Sequence, residues 1–181
     1  MFDGLGETGI KLVMVQDNQR FSCPEGGSVG AYDGSPGSYC RSNNTLVLAK
    51  GTFESEQEDF VKAGGTSMDY DRLLLGHEYG HGLQDVETER LGLENSNLPP
   101  NPTPVVEQQA DCIDGMFMKN KQIATIAIDT WFEMVGDSPS LSHAKDAHGS
   151  APVRKDAYLK GQSHVDGDML NCGLTILPMG T

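Results

Sequence analysis

The stretch Leu73-Leu74-Leu75-Gly76-His77-Glu78-Tyr79-Gly80-His81-Gly82-Leu83-Gln84 constrains this chain more than any other. It contains His-Glu-x-x-His, which on a helix sets two imidazoles and a carboxylate around one metal position. A helix advances about 100° per residue, so His77 and His81 are offset by only about 40° and stand one turn apart on one face. Two imidazoles so placed can share a tetrahedral ion. Glu78 lies about 100° round from His77. It misses the ion but reaches a water beside it, and can take that water's proton once zinc lowers the water's pKa toward ~7. The flanks argue for burial, because Leu73, Gly76, Gly80 and Leu83 form an apolar, small-residue stripe beside the histidines. Each mid-helix glycine costs about 0.5–1 kcal/mol relative to alanine. Two of them one turn apart predict that another backbone comes close there. A surface helix with two solvated histidines would leave that stripe without a purpose.

A catalytic zinc held by two histidines needs a third protein ligand. The segment following Pro104, Val105-Val106-Glu107-Gln108-Gln109-Ala110-Asp111-Cys112-Ile113-Asp114-Gly115-Met116-Phe117-Met118, reads as a helix with Glu107 and Asp111 on one face. Val106, Ala110, Ile113 and Phe117 make the rest of it apolar. Glu107 is therefore the candidate third ligand. Asp111 is the candidate acceptor for a ligand histidine's outer N–H, fixing that ring's tautomer. The alternative is a pair of solvated acids on an amphipathic helix.

The four cysteines, Cys23, Cys40, Cys112 and Cys172, contain no Cys-x-x-Cys spacing, which argues against a structural zinc site and leaves three disulfide pairings. The favoured pairing is Cys23–Cys40 with Cys112–Cys172. The first closes a Gly/Ser-rich loop that packing cannot hold, and the second ties the chain's end to the second acidic helix. Four free thiols in a reducing compartment are the alternative. A formal net charge of −13 argues against nucleic acid or an anionic membrane as partner. No signal peptide or run of 18 apolar residues is present, so an exported protein would carry its targeting segment outside these 181 residues. At that length the chain is expected to be one domain, able to bury ~70% of its unfolded surface without help from a metal.

Taken in order, residues 1–9 read as a loose entry and Ile10–Gln16 as a buried strand ended by Asp17-Asn18. Residues 21–39 are rich in Gly, Ser, Asp and Pro and read as loop, with a turn at Asp33-Gly34. Thr45–Ala49 is a further strand, in a small hairpin-like or meandering sheet, and a candidate edge for pairing with extended peptide. Phe53–Ala63 reads as a helix with Phe53, Phe60 and Val61 inward, broken by Gly64-Gly65. Ser67 or Asp69 then caps the histidine helix, which runs to about Glu87. Residues 89–103 form a proline-rich connection. Gln122–Val135 is a packing helix with Ile123, Ile126, Ala127, Trp131 and Met134 at core spacing. His148-Gly149-Ser150 precedes a helix with Pro152 in its first turn. Val165-Asp166-Gly167-Asp168 lacks the rest of a calcium loop and reads as a turn.

With these residues in view, the chain resembles the bacterial neutral zinc metallopeptidases over roughly Cys23 to Cys172. The resemblance rests on His77-Glu78-Tyr79-Gly80-His81-Gly82-Leu83-Gln84, on Glu107-Gln108-Gln109-Ala110-Asp111-Cys112, and on His148-Gly149-Ser150 with Arg154 beyond. It implies a gluzincin, with His77, His81 and Glu107 on zinc, Glu78 as base and Asp111 in support. Gly82 stands where many relatives carry another histidine, about 140° from His77 and so clear of the ligand face. The resemblance also implies export or a cell-envelope location.

The expectation is thus an α+β, zincin-like domain spanning residues 1–181. It has an N-terminal sheet lobe over about 1–66 and a helical zinc-site lobe over about 67–181, with the active-site helix between them. Its activity would be hydrolysis of a peptide or protein substrate, with His148 donating to the oxyanion and Tyr158 or Arg154 as alternates. Two other functions fit the same residues: a zinc hydrolase of a cell-wall peptide or amide, and a non-catalytic zinc-binding envelope domain. The pattern sets no oligomeric state.

Overall fold

The near-continuous apolar run Thr45-Leu46-Val47-Leu48-Ala49 is what a strand buried on both faces requires, and in a computed structural model of the chain it is the centre of the sheet. The structure describes residues 9–16, 19–23, 28–30, 35–90, 104–137, 148–164 and 172. Among these, a mixed sheet has the order β1 (Lys11–Val15), β5 (Thr45–Ala49), β4 (Gly37–Cys40). β1 runs parallel to β5, with Val13 opposite Val47, and β4 runs antiparallel, with Tyr39 opposite Leu46. Two short strands, β2 (Arg20–Ser22) and β3 (Ser28–Gly30), form a separate antiparallel pair.

Two expectations change here. The segment read as loop contains β2, β3 and β4, strands too short to show a period. Thr45–Ala49 is not an edge: all five residues are buried between neighbours, and β4 is the edge strand beside the helices.

Five helices are described: α1 (Lys50–Lys62), α2 (Ser67–Arg90), α3 (Pro104–Met118), α4 (Thr125–Val135) and α5 (Ala151–Ser163). The architecture is α+β and mostly helical. α2 carries the histidines and is longer than its composition indicated, reaching Arg90. Its cap is Thr66, neither Ser67 nor Asp69. Thr66 Oγ1 accepts from the Asp69 amide at 3.1 Å and donates to the Asp69 carboxylate at 2.8 Å, a reciprocal bond that satisfies an orphan N–H of the first turn.

α1 buries Phe60 completely and Phe53 in part, while Val61 is exposed, because one stripe of this acidic helix faces inward and Val61 lies about 100° off it. Gln122 has φ 55°, a left-handed conformation that postpones the next helix to Thr125. In α4 the buried stripe is Ala127, Ile128, Trp131 and Phe132, so Ile126 and Met134 are left exposed. Trp131 and Tyr70 meet edge to face at 5.8 Å, inside the core.

The close approach foreseen at the α2 glycines is real. A Cβ on Gly80 would stand 2.8 Å from the Ala110 carbonyl oxygen and 3.0 Å from its Cα, and one on Gly76 would collide with the Asp114 carboxyl. α3 therefore lies directly against α2, and its other flank packs on α5. Disulfides join Cys23 to Cys40 and Cys112 to Cys172, with Cα separations of 5.5 and 5.7 Å, in the pairing favoured above. No helix among the described residues is long and apolar enough to cross a membrane. The entry at residues 1–8, the turns at Asp17-Asn18, Asp33-Gly34 and Val165–Asp168, and the connection at 91–103 lie outside the described residues.

Candidate metal centre

His77 and His81 meet one turn apart on α2 as helical spacing requires, with ring centroids 4.7 Å apart. Their Nε2 atoms point at one another across 3.2 Å. Glu107 comes from the first turn of α3, and its Oε2 lies 3.2 Å from His77 Nε2 while its Oε1 lies 3.4 Å from His81 Nε2. One donor atom from each of the three residues falls within 4.8 Å of the others. Two imidazole nitrogens and a carboxylate oxygen, all turned to one point in a buried setting, form a donor set that suits a borderline divalent ion. The group could bind a metal ion.

The surroundings hold each donor in place. Asp111 stands one turn after Glu107, and its Oδ1 lies 2.9 Å from His77 Nδ1. Because an ionised carboxylate only accepts, this contact orients the ring with Nε2 toward the centre. Arg154 on α5 is 2% exposed and grips Asp111 with two prongs, Nε to Oδ2 at 2.7 Å and Nη2 to Oδ1 at 2.9 Å. Its Nη2 also lies 3.4 Å from Glu107 Oε2, and Nη1 donates to the Val135 carbonyl at 3.0 Å. A bidentate buried guanidinium is the strongest restraint available to such a carboxylate. On the other ring, His81 Nδ1 is 2.9 Å from Gln84 Oε1.

Charge follows geometry. Burial disfavours the charged form of His77, but the Asp111 and Glu107 carboxylates outweigh it and push the ring up to about 10. Burial likewise opposes ionisation of Glu107, and the two imidazoles overcome it, holding the carboxyl well below the usual range. An ion entering here must displace the proton on His77 Nε2, so binding releases protons. Glu78 is buried, and Gly37 of β4 packs against it, with a Cβ at Gly37 standing 3.6 Å from Glu78 Cγ.

The remaining predicted residues are placed as follows. His148 is exposed, with Nδ1 3.9 Å from Asp137 Oδ1, and it is not one of the three converging groups. Its neighbour Gly149 packs beside Pro104 and Arg154, where α3 begins. Tyr158 is fully buried, edge-on to Phe132 at 5.6 Å. Arg154, an alternate oxyanion donor by sequence, is engaged with Asp111 and Glu107. Gln84 had no assigned role, although it lies three residues after His81, a spacing at which helical side chains meet. No family model, curated protein or solved structure matches the chain. What fold and site define together is an α+β, disulfide-bonded protein with a buried His77–His81–Glu107 group able to hold a metal ion.

Proposed function

We propose that the chain is a zinc-dependent peptidase of zincin type, with His77, His81 and Glu107 as ligands and a peptide or protein as substrate. The observation that carries this reading is the convergence of His77 Nε2, His81 Nε2 and a Glu107 oxygen, with a buried Glu78 on the same helix. When bound, zinc supplies Lewis acidity, lowering the pKa of a water and polarising the scissile carbonyl. Glu78 accepts the attacking water's proton and returns it to the leaving amine. His148 is assigned the role of donor to the developing oxyanion. Extended substrate lies along β4, the strand packed on Glu78, and pairs with it as an added strand would. Asp111 and Arg154 touch no substrate and hold His77 and Glu107 in place. The two disulfides favour an oxidising compartment, which fits secretion or the cell envelope.

The test is elemental analysis of the purified protein together with digestion of a peptide library with and without chelator. Zinc at one equivalent and chelator-sensitive cleavage are expected; a protein that takes up no divalent ion would end the proposal. Glu78→Gln should keep zinc and lose turnover by about 10²–10⁴-fold. Undiminished turnover in that variant would remove Glu78 from the role of base. Stoichiometric zinc without cleavage of any peptide would point instead to an amide substrate or a binding domain.

A further inference from the structure

His81 must present a bare Nε2 to serve as a ligand, and what compels it to do so is a backbone carbonyl on another helix. Gln84 is 1% exposed and spans the gap between α2 and α3. Its Nε2 lies 2.8 Å from the Val106 carbonyl oxygen and 3.2 Å from Gln109 Oε1, and its Oε1 lies 2.9 Å from His81 Nδ1. A peptide carbonyl accepts and never donates, so the Gln84 group facing Val106 has to be the NH2. The opposite amide orientation would set two oxygens against each other at that distance. With the NH2 committed to Val106 and Gln109, Oε1 faces His81 and can only accept. The proton of the neutral imidazole then sits on Nδ1, and the Nε2 lone pair points at His77 Nε2 and Glu107.

We infer that Gln84 is the positioning residue for His81, fixing its Nδ1–H tautomer from the Val106 carbonyl of α3. The inference deepens the metal reading and rests on it in treating His81 as a ligand. Two consequences follow. The two ligand rings are oriented by different chemistry, His77 by the carboxylate of Asp111 and His81 by a neutral amide relay. Val106 immediately precedes Glu107, so the turn of α3 that delivers the third ligand also prepares the second. An outer hydrogen bond of this kind typically accounts for about 10–100-fold in metal affinity.

Long-range 1H–15N correlation of the imidazole nitrogens, in chelator-treated full-length protein at a pH where the ring is neutral, reads the tautomer without any variant. Nδ1–H at His81 is expected; predominant Nε2–H overturns the inference. Competition titration with Co(II) and Zn(II) supplies the second readout. Gln84→Met keeps the side-chain length without an acceptor and should bind about 10–100-fold more weakly, with a changed visible spectrum for Co(II). Gln84→Glu keeps an acceptor toward His81 but sets its second oxygen against the Val106 carbonyl, so it should lower the melting temperature while His81 stays Nδ1–H. Equal affinity in Gln84→Met, or Nε2–H at His81 in Gln84→Glu, would show that Gln84 only braces the helices. Should Gln84→Met not fold, the wild-type tautomer and Gln84→Glu still decide. Wild-type protein that binds neither ion yet shows Nδ1–H would remove the ligand reading and leave the tautomer assignment standing.

Discussion

Asp114 shows what a single side chain can cost. It is 1% exposed, wedged against Gly76, and neither carboxylate oxygen has a hydrogen-bond partner among the described residues. Burial holds its pKa well above the ordinary 3.8, with the His77 charge opposing that shift and Asp111 adding to it. The sign of the consequence is definite. A carboxyl whose folded pKa is raised contributes stability that is fully present below 3.8 and lost as pH rises through the folded value. Asp114→Asn carries no ionisation cost, so its stability relative to wild type should rise between pH 3 and pH 7. The pH-dependent part of that difference should vanish near pH 3. Thermal melts of the two proteins across that range check it, and a pH-independent difference would contradict it. Arg154 is the converse case: a buried charge, fully paired, whose partners Asp111 and Glu107 would be stranded without it.

At the scale of elements, the contact between α2 and α3 sets the donor triangle. Gly80 makes it possible, because the groups a side chain there would strike belong to the Ala110 backbone and cannot rotate away. Gly80→Ala gains up to about 1 kcal/mol in helix propensity and incurs an overpacking cost of about 1–3 kcal/mol. The net expectation is a lower melting temperature together with weaker metal binding, since moving α3 outward moves Glu107 with it. Calorimetry and metal titration on that variant are the measurements, and unchanged affinity would dissociate the helix spacing from the site. The sheet makes the same point about neighbours. β5 is central, with β1 and β4 as the edges, because the continuous apolar run has to be covered on both sides, whereas Gly-Ser-Tyr-Cys of β4 can border the helices.

At the scale of the molecule, the two crosslinks restrain very different lengths of chain. Cys23–Cys40 encloses a sequence separation of 17 and Cys112–Cys172 one of 60. In the chain-entropy account these remove about 3 and about 4 kcal/mol of unfolded-state freedom. Replacing Cys112 and Cys172 together by serine should therefore lower the melting temperature more than replacing Cys23 and Cys40. Reductant should lower it in the wild type and in each double variant, and not in a protein lacking all four cysteines. Thermal melts with and without reductant read both effects. The 60-residue link also starts one residue after Asp111, so it anchors the helix that carries Glu107.

Local periodicity was enough to place His77, Glu78 and His81 on one helix, to see that Gly76 and Gly80 needed a close neighbour, and to put Glu107 and Asp111 one turn apart. Those relations are properties of helical geometry and hold wherever the helix lies. The strands β2, β3 and β4 escaped detection because three or four residues cannot display a period, and the exposure of Val61, Ile126 and Met134 depended on which face found a partner. The grip of Arg154 on Asp111 and the bond from Gln84 to the Val106 carbonyl join groups 43 and 22 residues apart. No spacing rule reaches across such separations. A hydrogen bond depends on distance and direction in space, and only the docking of α3 between α2 and α5 supplies those.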